Sequence, residues 1–197
     1  MDSNICNFAS INKLTMAIYR TYVQQLGFNG KTYTKGTVVD LLERFNIACQ
    51  DFPYKRNPKS KDLPTRDWAG EDGLDVYIPE GALPAKSYDI DVEFIYVGTE
   101  ETMRDDLSAF IGFITGREKG ASGDTVQSGR LAVYDEHVQM GRKDVSVVEI
   151  DNELYYRSDH DEDKVARFKV KFNVYDPTTE VTPSRSGSNV TGLVWSA

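Results

Sequence analysis

The chain has 197 residues, with 23 Lys and Arg against 31 Asp and Glu, and a net charge of −8. This length suits one domain, or one domain with arms, and it can bury a sizeable core. The acidic balance argues against general binding to phosphate backbones, which draws on an excess of cations. A local basic patch is still compatible with it.

The sequence shows no sign of a membrane span or a leader. Its apolar runs are far shorter than the roughly 20 residues that cross a bilayer. The stretch MDSNICNFASINK lacks a basic region followed by an apolar block, so we expect no secretory signal. Cys6 and Cys49 match no metal-binding spacing and are too few for a disulfide scaffold. We interpret them as buried or incidental thiols.

The first third of the chain gives weak local signals. Leu14–Arg20 predicts a strand or the start of a short helix. Apolar residues with helical spacing predict a short helix over Thr37–Phe45, capped by Thr37. Residues 51–73 carry three prolines and many charges, so they are predicted to form an extended surface segment.

Two elements in the middle of the chain are strongly patterned. Residues 88–96, YDIDVEFIY, alternate between apolar and mostly acidic side chains, which predicts a strand. A helix is predicted next, with Thr102 three residues before Asp105 at its start and Gly116 at its end. Its apolar stripe consists of Met103, Leu107, Phe110, Ile111 and Ile114.

The remaining sequence is typical of strands and loops. Residues 117–129 predict a loop, and RLAVYDE and KDVSVVEIDNELYYR predict strands. The alternation changes phase between Val147 and Val148, which predicts a β-bulge or the end of a strand there. The stretch KVARFKVKFNVYDP, residues 164–177, alternates regularly and predicts a strand joined to the preceding one by the polar hairpin loop SDHDED. Residues 178–197 are predicted to form an arm.

Strands before and after a single helix, without regular βαβ alternation, predict an α+β, mainly β fold. We expect an antiparallel β-sandwich or barrel with one packed amphipathic helix. The predicted division is an N-terminal segment at 1–34, a β domain at 35–177 and a C-terminal arm at 178–197.

The last strand presents a basic face, and the 88–96 strand presents an acidic one. The cations are Arg167, Lys169 and Lys171, and the acids are Asp89, Asp91 and Glu93. Opposite charges on facing strands stabilise a sheet by roughly 0.2 to 1 kcal/mol per pair. We therefore predict that the cations contact acids of the same sheet or of the next subunit, while a separate acidic surface is the alternative.

No motif indicates catalysis or a bound cofactor. The stretch Asp159–Asp163, which includes His160, concentrates possible cation ligands but lacks the glycine and staged ligands of a cation loop. We interpret it as a solvated hairpin tip. The other histidine, His137, stands in no nucleophile motif and is predicted to lie on the surface. Trp68, in the polar stretch RDWAGEDG, is either an anchor into a neighbour or a lid over the core.

The order of these elements resembles that of tail proteins of long-tailed bacteriophages and prophages, in the distal tail and tail-tube-like family. The stretches that carry the resemblance span residues 35–177 and are KGTVVDLL, RDWAGEDGLDVY, YDIDVEFIYVG, DDLSAFIGFI, GRLAVYDE and FKVKFNVYDP. The sequence after Asp176 and Pro177 departs from those members with a second, carbohydrate-binding-like domain, because it is too short to hold one.

The resemblance implies a non-enzymatic structural protein of the virion tail, with no cofactor. It implies a ring of identical subunits, commonly six, around the channel through which the genome leaves, with other tail proteins as partners. The ring would be the tube, its distal end or the head-tail junction, and the host cytoplasm would be its place of assembly. DNA would pass without specific binding, because an acidic lumen repels it. Trp68 and the charged residues of the two strands are the candidate interface or lumen residues.

Two alternatives belong to other functional classes. A metal-dependent hydrolase would use the Asp159–Asp163 cluster. An adaptor that binds a glycan or another ligand would use exposed aromatic residues such as Trp68 and Tyr155.

Overall fold

A computed structural model of the chain describes residues 19–70, 72–118, 126–156 and 165–196. Within these ranges the chain forms strands and two helices. In chain order they are β1 (Thr21–Phe28), β2 (Tyr33–Asp40), α1 (Leu41–Phe45), β3 (Ile47–Asp51), β4 (Thr65–Arg66), β5 (Asp75–Val76), β6 (Tyr88–Tyr96), α2 (Glu100–Ile114), β7 (Leu131–Asp135), β8 (Met140–Tyr156), β9 (Val165–Val174), β10 (Thr182–Ser186) and β11 (Asn189–Val194).

Seven of the strands form one antiparallel sheet in the order β2-β1-β7-β8-β9-β6-β3. Strands β10 and β11 form a separate hairpin, and β4 and β5 form a short ribbon. Together with α2, this sheet confirms the predicted α+β, mainly β fold.

The main core lies between one face of the sheet and the two helices. The alternating apolar residues of β6 and β9 lie opposite one another, as in the pairs Val92–Val170 and Phe94–Phe168. Phe110 of α2 contacts the ring of Phe94, with centroids 5.5 Å apart, and the ring of Phe168 at 5.8 Å. Phe45 of α1 joins the same cluster. The alternation of the two strands therefore fixes the face on which α2 packs.

Among the described residues, the opposite face of the sheet is covered over only one half. There the hairpin of β10 and β11 packs on β1 and β7 and buries Leu193 and Val181 against Tyr22, Leu26 and Tyr134. Strand β1 therefore lies between two packed layers, and its first six residues are all buried.

The short helix differs from the prediction. Residues 37–40 continue β2, where Val38 and Val39 lie opposite Gln24 and Val23 of β1, and the helix begins only at Leu41. Asp40 caps it, because its carboxylate accepts the backbone N–H of Leu42 at 2.9 Å. The predicted cap at Thr37 is wrong, since pairing with β1 prevails over local helical spacing.

The long helix was predicted correctly except at its start. It begins at Glu100 with Thr99 as the N-cap, so the predicted start at Thr102 is wrong. The hydroxyl of Thr102 is instead 2.8 Å from that of Tyr96, at the end of β6. Gly116 does follow the helix end, with a φ of 70°.

The later strands follow the predicted pattern. Strands β8 and β9 pair antiparallel, and their register shifts between Val147 and Glu149, which confirms the bulge. The predicted hairpin tip at 158–163, and residues 14–18 of the predicted N-terminal element, lie outside the described residues. The division at residues 34 and 177 stays a prediction. Strand β1, before that first boundary, pairs with β2 and β7.

Candidate subunit interface

The uncovered half of the sheet carries the charged residues predicted from the sequence. On the side opposite α2, Lys169 of β9 lies between Glu93 of β6 and Asp151 of β8, and Lys171 lies between Asp91 and Glu149. We call this surface the charged face. Its ionisable residues are Asp51, Asp89, Asp91, Glu93, Glu149, Asp151, Arg167, Lys169 and Lys171.

The charged face is acidic overall, because six carboxylates share it with three cations. The register places Lys169 and Lys171 opposite acids on both sides, as the prediction of pairing within one sheet requires. Among the described residues, however, no salt bridge includes either lysine. The lysines therefore act here as cross-strand counter-charges in a solvated surface, whose pairs are screened. Arg167 lies opposite Ile95 and Leu154.

Reversing the charge of Lys169 tests this arrangement. Lys169→Glu would place four acids in one cross-strand row with Asp51, Glu93 and Asp151. We expect the free energy of unfolding to fall by about 1–2 kcal/mol, because two attractive pairs become repulsive. Denaturant titration at low and high salt measures this loss, and high salt should reduce it. Lys169→Gln is the matched control, with a smaller effect, and an unchanged Lys169→Glu protein would show that the cations only contact water.

A long ribbon projects from the sheet between β3 and β6; we call residues 52–87 the arm. Its base is buried, with the rings of Phe52 and Tyr54 stacked at 4.4 Å. Further out, its two limbs are joined by backbone hydrogen bonds from Lys86 to Lys59 at 2.8 Å and from Tyr77 to Pro64 at 3.0 Å. The predicted extended surface segment at 51–73 is thus one limb of a ribbon.

The outer part of the arm exposes large apolar side chains to solvent. Tyr77 is 68% exposed and Ile78 is 66% exposed, and Leu74, Val76 and Leu83 are also exposed. Trp68 lies here too, with the guanidinium of Arg66 3.7 Å from its ring centre. It is exposed, and it belongs to the arm rather than to the strands of the charged face with which it was grouped. An exposed apolar cluster of this kind is typical of a contact surface.

A second surface with aromatic residues was not predicted from the sequence. The ring centroid of Tyr33 lies 4.8 Å from that of Phe28 and 5.8 Å from that of Trp195. Cations stack on these rings, with Lys35 Nζ 3.8 Å from the ring centre of Trp195 and Arg130 4.8 Å from that of Phe28. We call this surface, together with Lys31 in the β1–β2 turn, the aromatic-cationic patch. Its members are far apart in sequence, so no local pattern reveals it.

Strand β2 forms one edge of the sheet and borders a cleft of about 1060 Å³. The cleft is lined by Thr37 and Asp40 of β2 and by Asn189 of β11. Arg20 and Arg185 lie in it, and each pairs with a carboxylate at 2.5 Å. A β-strand edge beside an open cleft leaves room for another chain to approach its backbone.

The other residues considered in the sequence analysis, the cysteines, histidines and acidic clusters, form no metal-binding group within residues 19–70, 72–118, 126–156 and 165–196. No group of three or more His, Cys, Asp and Glu side chains in these ranges could hold a metal ion, and none of their helices could span a membrane. His137 is exposed as predicted. Burial raises the pKa of the Cys49 thiol. Cys6, the Asp159–Asp163 cluster and the side chain of Tyr155 lie outside the described part.

No protein-family model and no curated protein matches the chain. One solved structure that is similar to it is the Dit protein (gp 19.1) of SPP1, described as a paradigm of the hub adsorption apparatus in phages that infect Gram-positive bacteria. The TM-score is 0.44 and the sequence identity 16%. The match covers 82% of this chain and 52% of that protein, so the chain spans about half of its length. At this level of similarity the match carries no argument about function.

Proposed function

We propose that the chain is a non-enzymatic structural subunit that assembles with identical copies into a ring of a phage tail. The observation that carries the proposal is the projecting arm, whose outer part exposes five large apolar side chains besides Trp68. Soluble monomers rarely expose such a cluster without a partner. Among the described residues, the edge strands β2 and β3 each pair on one side only, and their outer backbone groups are available for pairing with a neighbouring copy.

The charged face suits the lumen of such a ring. It is the half of the sheet that neither α2 nor the β10–β11 hairpin covers, and it carries an excess of carboxylates. A negatively charged wall repels DNA and lets it slide without specific binding. In this proposal Asp89, Asp91, Glu93 and the three cations of β9 line the channel, and Trp68 belongs to the subunit contacts.

The assignment to a phage tail rests on the order of sequence elements over residues 35–177. With it come the proposed location in the virion tail, assembly in the host cytoplasm and contacts with other tail proteins. Residues 178–197 then form an appendage to this domain, which the hairpin of β10 and β11 attaches to β1 and β7.

The proposal is tested by the size of the purified chain in solution. We expect light scattering over a concentration series to show closed oligomers of one defined size, and electron microscopy to show rings. Mass spectrometry of purified phage particles should also detect the chain in a tail fraction. A chain that stays monomeric at the highest concentration and is absent from the particles would contradict the proposal.

A further inference from the structure

The outer end of the arm combines exposed apolar residues with an excess of negative charge, and the cation beside it, Arg66, stacks on the ring of Trp68. Between Asp67 and Glu80 the sequence has five acidic residues and no Lys or Arg. We call residues 67–70 and 72–80 the arm tip. Its exposed apolar side chains include Leu74, Tyr77 and Ile78. Ribbon β4–β5 is only two residue pairs long, and so short a ribbon is marginal in water without a packing partner.

The aromatic-cationic patch has the complementary chemistry. Phe28 is exposed there, beside the exposed Lys31 and Lys35. The nearby acids are mostly shielded. Asp144 accepts hydrogen bonds from Tyr33 at 2.5 Å and from Arg130 at 3.1 Å, and Asp176 pairs with Lys143 at 3.2 Å. The patch therefore presents apolar rings and positive charge to solvent.

The two surfaces lie at opposite edges of the sheet. The arm joins β3 to β6 at one edge, and Phe28 and Tyr33 belong to β1 and β2 at the other. Six strand spacings separate β2 from β3, which amounts to roughly 30 Å. Among the described residues of one copy, no hydrogen bond, ion pair or ring contact joins the arm tip to the patch. Complementary surfaces at opposite edges are suited to head-to-tail contact between copies.

We propose that the arm tip of one copy binds the aromatic-cationic patch of a second copy of this chain. The apolar side chains of the tip pack on the Phe28 and Trp195 rings, and the acids of the tip face Lys31 and Lys35. Burial of the rings supplies the affinity, and the charges around them select the partner and its orientation. This inference rests on the proposed assembly of identical subunits and names the contact that joins them.

The first test removes the aromatic side chain of the tip. Tyr77→Ser is expected to weaken self-association by at least about tenfold, as loss of a central aromatic anchor does. Tyr175→Ser is the matched control, because Tyr175 is 60% exposed at the end of β9 and belongs to neither surface. Sedimentation velocity over a concentration series measures both variants, and thermal melts confirm that both remain folded.

The second test exchanges charges between the two surfaces. Asp75→Lys and Lys31→Glu are each expected to weaken self-association when studied alone, because each creates like-charge contacts. An equal mixture of the two variants should associate again, since each reversed surface then meets its opposite on the other variant. This recovery is specific to a tip-to-patch contact between copies.

The outcomes separate this inference from the proposed function. If the wild-type chain associates but Tyr77→Ser and both charge variants associate equally well, the tip-to-patch contact is overturned and the ring proposal stands. If the charge variants are weakened but their mixture does not recover, the pairing of these two surfaces is overturned. A wild-type chain that never associates contradicts both proposals.

Discussion

Replacing Gly141 with alanine is expected to release the C-terminal segment from the sheet and to lower the free energy of unfolding by about 3 kcal/mol. A Cβ atom at this position would lie 2.6 Å from the carbonyl oxygen of Val133 and 2.8 Å from that of Val181. Val133 belongs to β7, which pairs with β8. The carbonyl oxygen of Gly141 accepts the backbone N–H of Val181 at 3.1 Å. Because backbone atoms lie on both sides of Gly141, neither Val133 nor Val181 can move away without breaking hydrogen bonds to β8.

Gly192→Ala is the matched control for this prediction. Gly192 lies in β11 of the same C-terminal hairpin, and a Cβ atom there would meet nothing within 4 Å. Thermal denaturation gives the stability of both variants, and limited proteolysis shows whether residues after 177 become accessible. A Gly141→Ala protein that melts like the wild type and resists cleavage would show that β8 does not hold this segment through Gly141.

Replacing Arg142 with methionine is expected to raise the free energy of unfolding by about 2 kcal/mol, because burying a charge without a partner is costly. Arg142 is only 2% exposed, and its Nε has no hydrogen-bond partner within the described parts of the chain. Its one hydrogen bond between described residues runs from Nη1 to the carbonyl oxygen of Gly141 at 3.4 Å, and no salt bridge in those parts of the chain includes it. A buried cation with so few partners loses its hydration without compensation.

The nearby carboxylate of Asp135 does not depend on Arg142. It accepts the hydroxyl of Thr21 at 2.7 Å and the backbone N–H groups of His137 and Val138. Methionine retains most of the apolar stem without the charge, whereas Arg142→Lys keeps the charge on a shorter side chain and should not stabilise. Denaturant unfolding compares the three proteins. A less stable Arg142→Met protein would mean that the guanidinium has stabilising partners in the native state.

The elements that could be predicted from the sequence are those with one buried and one solvated face. Strands β6 and β9 alternate because their outer side is the charged face, and α2 has an apolar stripe because only one side contacts the sheet. The same alternation places the side chains of Asp91 and Lys171 on the charged face, where the two residues lie opposite each other. These patterns are local, and the structure preserves them.

The elements that escaped prediction depend on distant parts of the chain. Strand β1 is covered on both sides, so it shows no alternation, and its polar side chains are satisfied far away: Gln25 donates to the carbonyl oxygen of Phe113 at 2.6 Å. The aromatic-cationic patch joins residues 28 and 195, and buried Arg142 lies in the polar stretch GRKD. No window of sequence contains these partners together.

The odd number of strands in the sheet has a consequence for assembly. Because all seven strands pair antiparallel, the edge strands β2 and β3 run in the same direction. A two-fold dimer could pair β2 with β2 antiparallel, but a ring that joins β3 of one copy to β2 of the next has a parallel junction at every seam. Parallel ladders are slightly less stable per residue than antiparallel ones. In such a ring the weaker parallel pairing would lie at the seams between copies, and the antiparallel pairing would lie within each subunit.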